Sequence, residues 1–123
     1  MDKVLIDTSV WIPFFRGKDE GVIASVSSLL KGGQAVLTGI VVTELLQGAL
    51  DEKEHQKILD LLEPVERISP SDSTWESAGR LSFRLRKKGF TVSTVDVLLA
   101  ALTIESDLLL LSQDKHFEIV EKY

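Results

Sequence analysis

The sequence predicts a three-layer α/β domain, with helices packed on both faces of a parallel sheet. Short, wholly apolar runs such as Val4-Leu5-Ile6, Ala35-Val36-Leu37 and Leu108 to Leu111 suit strands that are buried on both faces. Longer stretches with apolar residues at helical spacing lie between them. Strands that alternate with helices in this way build a parallel sheet through crossover connections. A third observation places the chemistry: Asp7 follows the first run directly, and Asp114 comes just after the last. In open α/β sheets, ligands bind at the carboxyl ends of the strands.

Taken in order, Val4 to Ile6 form the first strand, and Thr8 or Ser9 can cap the helix that follows. Val10-Trp11-Ile12-Pro13-Phe14-Phe15 fits a short apolar helix ending near Gly17, with Pro13 tolerated close to its first turn. Val22, Val26, Leu29 and Leu30 mark a second helix, which Gly32-Gly33 stops. Ala35 to Leu37 form the next strand. Thr38 or Gly39 then opens a helix carrying Ile40, Val41, Leu45, Leu46 and Ala49. Glu52 to Leu62 is a more polar helix, with Ile58, Leu59 and Leu62 turned inward. Pro64 ends it, and Val65 to Ile68 suit a short edge strand. Ser71 to Lys88 is the longest helix, with Trp75, Ala78, Ser82 and Leu85 as its buried stripe and Gly89 as its stop. Ser93 or Thr94 opens a helix through Glu105, Leu108 to Leu111 form a buried strand, and Ile119-Val120 a last small one.

The 123 residues suffice for a single domain spanning 1–123, enough to bury roughly two thirds of the unfolded surface. No window approaches the roughly 20 apolar residues of a membrane span, and Met1-Asp2-Lys3 leads into a strand rather than a signal peptide. The absence of cysteine removes disulfides, thiolate zinc sites and a thiol nucleophile. Together these give the expectation of a cytoplasmic protein without membrane contact. A net charge of -5 argues against nucleic-acid binding by bulk attraction, but a few acids gathered in one metal site would account for most of it.

Four acids carry the functional reading, and each also has a plain structural one. Asp7 could cap a helix. Glu44 sits in Ile40-Val41-Val42-Thr43-Glu44-Leu45-Leu46, with no basic residue one turn away; a solvated helix edge is the alternative. Asp96, at about the third position of its helix, could complement the helix dipole. Asp114 beside Lys115 could be a turn residue. As a set they can converge at one sheet edge. Carboxylates about 4 Å apart repel by roughly 4 kcal/mol per pair at an effective dielectric near 20, so such a cluster needs protons or a cation. All-oxygen ligation suits Mg²⁺ or Mn²⁺, and the chemistry that follows is metal-assisted phosphodiester hydrolysis. Thr8, Ser9, Thr43, Thr94 and Ser112 are placed to orient the ligands, or to cap helices. His55 and His116 suit surface positions, and without paired histidines zinc is not expected.

Four motifs stand in order along the chain: Val4-Leu5-Ile6-Asp7-Thr8-Ser9, Val42-Thr43-Glu44-Leu45-Leu46-Gln47-Gly48, Asp96-Val97-Leu98-Leu99-Ala100-Ala101, and Leu110-Leu111-Ser112-Gln113-Asp114-Lys115-His116-Phe117. In this the chain resembles PIN-domain ribonucleases, and most closely the small VapC-type toxins of prokaryotic toxin–antitoxin pairs. The resemblance implies a sheet of about five parallel strands and an Mg²⁺- or Mn²⁺-dependent endoribonuclease. It makes Asp7, Glu44, Asp96 and Asp114 the catalytic metal site, with Asp7 and Asp96 the firmest ligands, and gives Ser112 a supporting role toward Asp7. It also implies a homodimer and a small cognate antitoxin. His116 stands where the family commonly has an aspartate, a departure that bears on substrate contacts rather than on metal ligands.

Arg80, Arg84, Arg86, Lys87 and Lys88 could hold RNA phosphates or form a solvated helix face; Arg84, Lys87 and Lys88 are the candidate RNA contacts. Trp11, Phe14 and Phe15 could meet a partner or fill the core. Two other functions compete. A receiver-like signalling domain would also be small, α/β, acidic and Mg²⁺-binding, but the mid-chain strands are followed by no suitable phospho-accepting aspartate. A PIN-like domain kept for binding, whose metal site no longer turns over, gains no support from the residues, since all four acids are present.

Overall fold

The computed structural model describes residues 2–114. Four strands, β1 (Val4–Ile6), β2 (Ala35–Leu37), β3 (Glu66–Arg67) and β4 (Leu109–Leu111), form one sheet in the order β3-β2-β1-β4. Every pairing is parallel: Val4 and Leu5 lie against Ala35 and Val36 on one side and against Leu109 and Leu110 on the other. His116, Phe117 and the small strand expected from sequence at Ile119-Val120 lie outside the described residues.

From β1 the chain steps to β2 and then β3 on one side, and β4 returns to the other side of β1. The direction of travel therefore switches between β1 and β4. At such a switch point, the crossovers diverge and leave a crevice beyond the strands' carboxyl ends. Asp7 and the segment Ser112–Asp114 both emerge there.

The helices are α1 (Thr8–Arg16), α2 (Glu20–Lys31), α3 (Gly39–Gln47), α4 (Glu52–Leu62), α5 (Asp72–Lys87) and α6 (Thr94–Glu105). Their ends follow local chemistry. Asp19, Asp51, Ser71 and Ser93 each accept the backbone N–H three residues on, satisfying an orphan donor of the first turn. Gly17, at φ 63°, closes α1 in the left-handed conformation, where a side chain would be strained. Pro13 is the sixth residue of α1 rather than a first-turn residue. The helix continues past it because Trp11 and Phe15, stacked with centroids 5.8 Å apart, are anchored in the core. These aromatics are interior, not a partner surface.

α6 is apolar all round because it is covered on two sides. Leu99 and Leu102 join the main core with β1, β2, α1 and α3, while Val97, Leu98, Ala100 and Ala101 pack with Ala78, Leu81 and Leu85 of α5. No helix among the described residues is long and apolar enough to cross a membrane.

Three expectations from sequence need correction. On α4 only Ile58 and Leu62 are buried, and Leu59 is 37% exposed rather than turned inward. The buried stripe of α5 is Thr74, Ala78, Leu81 and Leu85, and Trp75 is 51% exposed. The rotation is set by polar groups: Thr74 closes a capping box with Ser71 and donates from Oγ1 to Glu105 Oε2 at 2.6 Å. β4 is the sheet edge among the described residues, so Leu109 is 55% exposed rather than buried.

Thr38 follows β2 as Asp7 follows β1, but its side chain makes no cap, and its fully buried Oγ1 has no hydrogen-bond partner among the described residues. A buried, unpaired polar group costs about 1–3 kcal/mol. Thr38→Val keeps the shape and suits the extended backbone. It is expected to raise the unfolding free energy by about 1 kcal/mol, read as a shifted urea midpoint at constant slope.

Candidate active site

Beyond the switch point lies an open cleft of about 400 Å³, and Asp7, Glu44, Asp96 and Asp114 all line it, with Thr8, Ser9 and Ser93 between them. Among the described residues, no lysine or arginine lines it. Each acid reaches the cleft by a different local device.

Asp7 leaves β1 as the N-cap of α1, so capping and display coincide. It is only 5% exposed. Ser9 Oγ donates to Asp7 Oδ2 at 2.8 Å, Ser112 Oγ at 3.0 Å, and the Ser9 amide at 3.4 Å. All three reach the same oxygen, which leaves Oδ1 for a ligand. Each hydroxyl has one proton, already given to Asp7, so the 3.3 Å approach of Ser9 Oγ to Ser112 Oγ is a contact of two acceptors. Those oxygens in turn accept the amides of Gln113 and Asp114, both at 2.9 Å. Two serines thus tie the turn after β1 to the loop after β4, and hold Asp7 and Asp114 on one side of the sheet.

Glu44, half-buried on α3, accepts from Thr8 Oγ1 at 2.9 Å through its Oε1. This answers how a carboxylate survives among apolar neighbours: its partner comes from α1, not from its own helix. Asp96 is the third residue of α6, 7% exposed, and its amide donates to Ser93 Oγ at 3.1 Å. The serine therefore fixes the turn that presents the acid.

Several candidates fall elsewhere. Thr43 is exposed and donates to Gly39 O of its own helix. Thr94 is exposed and faces a groove against α5. Arg84, Lys87 and Lys88 are exposed at the end of α5, and none lines the cleft. His55 lies half-buried on α4, also away from it. The bridging role of Ser9 toward Gln113 has no sequence signal, because it joins residues 104 positions apart.

Chemically, four carboxylates around one opening suit a hard divalent cation held by oxygen. The donor set fits Mg²⁺ or Mn²⁺, and the hydroxyls bound to Asp7 and Glu44 are the outer groups that fix ligand orientation. Among the described residues, no three acidic or imidazole side chains already close around a single point. The site is a cleft edged by acids rather than a finished cage.

A parallel sheet with this strand order and an acid-lined cleft at its switch point defines a PIN-type α/β domain. The PIN domain family model matches residues 4–123, and the chain belongs to that family. Among its relatives is ribonuclease VapC11 of Mycobacterium tuberculosis, 27% identical over 97% of this chain and 92% of that protein. Ribonuclease VapC3 of Methanocaldococcus jannaschii is 31% identical over 83% of this chain and 98% of that protein. In shape the chain is similar to VapBC2 from Rickettsia felis, bound to a promoter DNA fragment (TM-score 0.80, 21% identity, covering 95% of this chain and 92% of that one). It is also similar to the sarcin–ricin loop cleaving toxin VapC20 of Mycobacterium tuberculosis (TM-score 0.69, 14% identity, covering 95% and 94%).

Proposed function

We propose that this chain, as a single domain over 1–123, is a divalent-metal-dependent endoribonuclease and the toxin of a toxin–antitoxin pair. The observation that carries this reading is the placing of Asp7, Glu44, Asp96 and Asp114 around one cleft, with no basic residue in its lining among the described residues. The named ribonucleases among its relatives supply the substrate class.

In this reading Asp7, Asp96, Glu44 and Asp114 hold Mg²⁺ or Mn²⁺. When bound, the ion lowers the pKa of a water and offsets charge that grows on the phosphate. The protein's own work is positional. Ser9 and Ser112 fix Asp7 so that one oxygen is committed inward and the other is offered to the ligand. Thr8 holds Glu44 toward the opening. Arg84, Lys87 and Lys88 reach RNA phosphates outside the cleft, where positive charge does not compete with the ion. A small antitoxin protein covers the cleft, the chain works as a homodimer, and the pair is cytoplasmic. A receiver-like reading gains nothing from the fold: β2 is followed by the buried Thr38, not by an aspartate.

Metal removal tests the proposal. Mn²⁺ at about 100 times its Kd should stabilise the fold by about 2.7 kcal/mol, seen as a raised melting temperature, and the rise should vanish in excess chelator. Cleavage of total RNA should stop in chelator and return when Mn²⁺ is restored. Cleavage that continues in chelator would rule out the metal site. Metal binding without cleavage of any RNA would leave a binding module.

A further inference from the structure

We propose that Ser93 holds the scissile phosphate by donating its hydroxyl proton to a non-bridging oxygen. This rests on the metal-dependent nuclease reading and names a group that receives its substrate. The cleft itself sets the need. A phosphodiester is an anion that accepts hydrogen bonds. Among the described residues, the side chains lining the cleft are four carboxylates, three hydroxyls and one valine. Ionised carboxylates only accept, so the hydroxyls of Thr8, Ser9 and Ser93 are the side-chain donors available.

Each hydroxyl has one proton to give. Thr8 gives its proton to Glu44 Oε1 at 2.9 Å, and Ser9 gives its own to Asp7 Oδ2 at 2.8 Å. Ser93 differs. Its Oγ accepts the Asp96 amide at 3.1 Å, which occupies a lone pair and leaves the proton. Among the described residues that proton goes to no other group. Accepting an amide also polarises the O–H and makes it a better donor. Ser93 is exposed at the opening, whereas Thr94, next in the chain, faces the groove against α5.

Capping alone does not call for serine here. Aspartate caps α1, α2 and α4, and the two residue types cap a helix about equally well. At α6 an aspartate would set a fifth carboxylate on the cleft and bring no donor. Serine gives the same cap and adds one proton. It does so three positions before Asp96, so the donor and a metal-ligating acid share one turn.

Three substitutions separate donation from capping, each read by cleavage of total RNA and by the rise in melting temperature that Mn²⁺ produces. Ser93→Gly removes the proton, and glycine is a tolerated N-cap. Cleavage should fall by about 10–100-fold, the range of a hydrogen bond to a charged group, while the Mn²⁺ stabilisation stays. Ser93→Thr keeps cap and donor, and should cleave within about threefold of wild type. Ser93→Asp keeps the cap without the donor, and should cleave no better than Ser93→Gly. A serine that only caps predicts the reverse order, with aspartate near wild type. That order, or loss of the Mn²⁺ stabilisation in Ser93→Gly, would overturn the proposal.

Binding of a short random-sequence single-stranded RNA in Ca²⁺, followed by fluorescence anisotropy, gives a readout apart from turnover. Ser93→Gly should weaken it about tenfold, and unchanged binding and cleavage would overturn the proposal. A wild type that binds this RNA but cleaves none would overturn the nuclease reading, and the binding comparison would still judge Ser93. A wild type that binds no RNA would overturn both.

Discussion

Asp7→Asn is expected to lower RNA cleavage by about 10²–10³-fold, the rate equivalent of the several kcal/mol that metal-assisted charge stabilisation supplies. The amide keeps the size of the carboxylate and can still accept from Ser9 and Ser112, so the turn after β1 should stay folded. What it loses is the negative charge at the oxygen left for a ligand. Two readouts separate this from unfolding. The melting temperature without metal should hold, since the hydrogen bonds from Ser9 and Ser112 can be kept. The stabilisation by Mn²⁺ should shrink toward zero. Ser112→Ala provides the graded comparison. It leaves the charge but removes one donor to Asp7 and the acceptor for the Asp114 amide. Loss of such an outer hydrogen bond typically costs about 10–100-fold in metal affinity or activity. Equal losses from both substitutions, with unchanged Mn²⁺ affinity, would mean that Asp7 is structural rather than a ligand.

Leu99→Ala should destabilise the fold by about 3–5 kcal/mol, a large part of the roughly 5–15 kcal/mol that holds a small domain folded. Leu99 has no exposed surface and packs into the main core from α6. It lies one turn after Asp96, so the cavity also loosens the helix that presents that acid. Urea unfolding measures the loss. Leu109→Ala, a change of the same chemistry at an exposed edge position, should stay within about 0.5 kcal/mol. The contrast is informative because periodicity cannot separate the two leucines.

That contrast marks how far the sequence could be read. Element positions were legible because they are punctuated locally. Gly17, Gly32, Gly33 and Pro64 mark helix ends, and Asp51, Ser71 and Ser93 start helices by accepting the amide three residues on. The four acids were legible as a group because each sits at a strand end or on the opening turns of a helix. Neighbour identity was not. Which hydroxyls serve the acids depends on tertiary pairing: Thr8 meets Glu44 across 36 positions, while Thr43, adjacent to Glu44 in sequence, bonds back into its own helix. The rotation of α5 was misjudged for a related reason. The large indole of Trp75 outweighed a threonine in the pattern, but Thr74 had Glu105 as a partner on α6. The exposure of Leu109 follows from its place at the sheet edge, which no run of leucines announces.

The clamp on Asp7 has a consequence for how the protein is made. Ser112 follows Asp7 by 105 positions, and β1 gains its β4 neighbour equally late. At about 5–20 residues per second, a nascent chain carries Asp7 for roughly 5–20 s before Ser112 exists. During that interval the first strand can pair with β2, but its acid still lacks one of its two hydroxyl donors and its link to the loop that bears Asp114. Whatever the cleft does, it can begin only after β4 and Ser112 have been made, and a product cut short before β4 would keep three of the acids without the clamp.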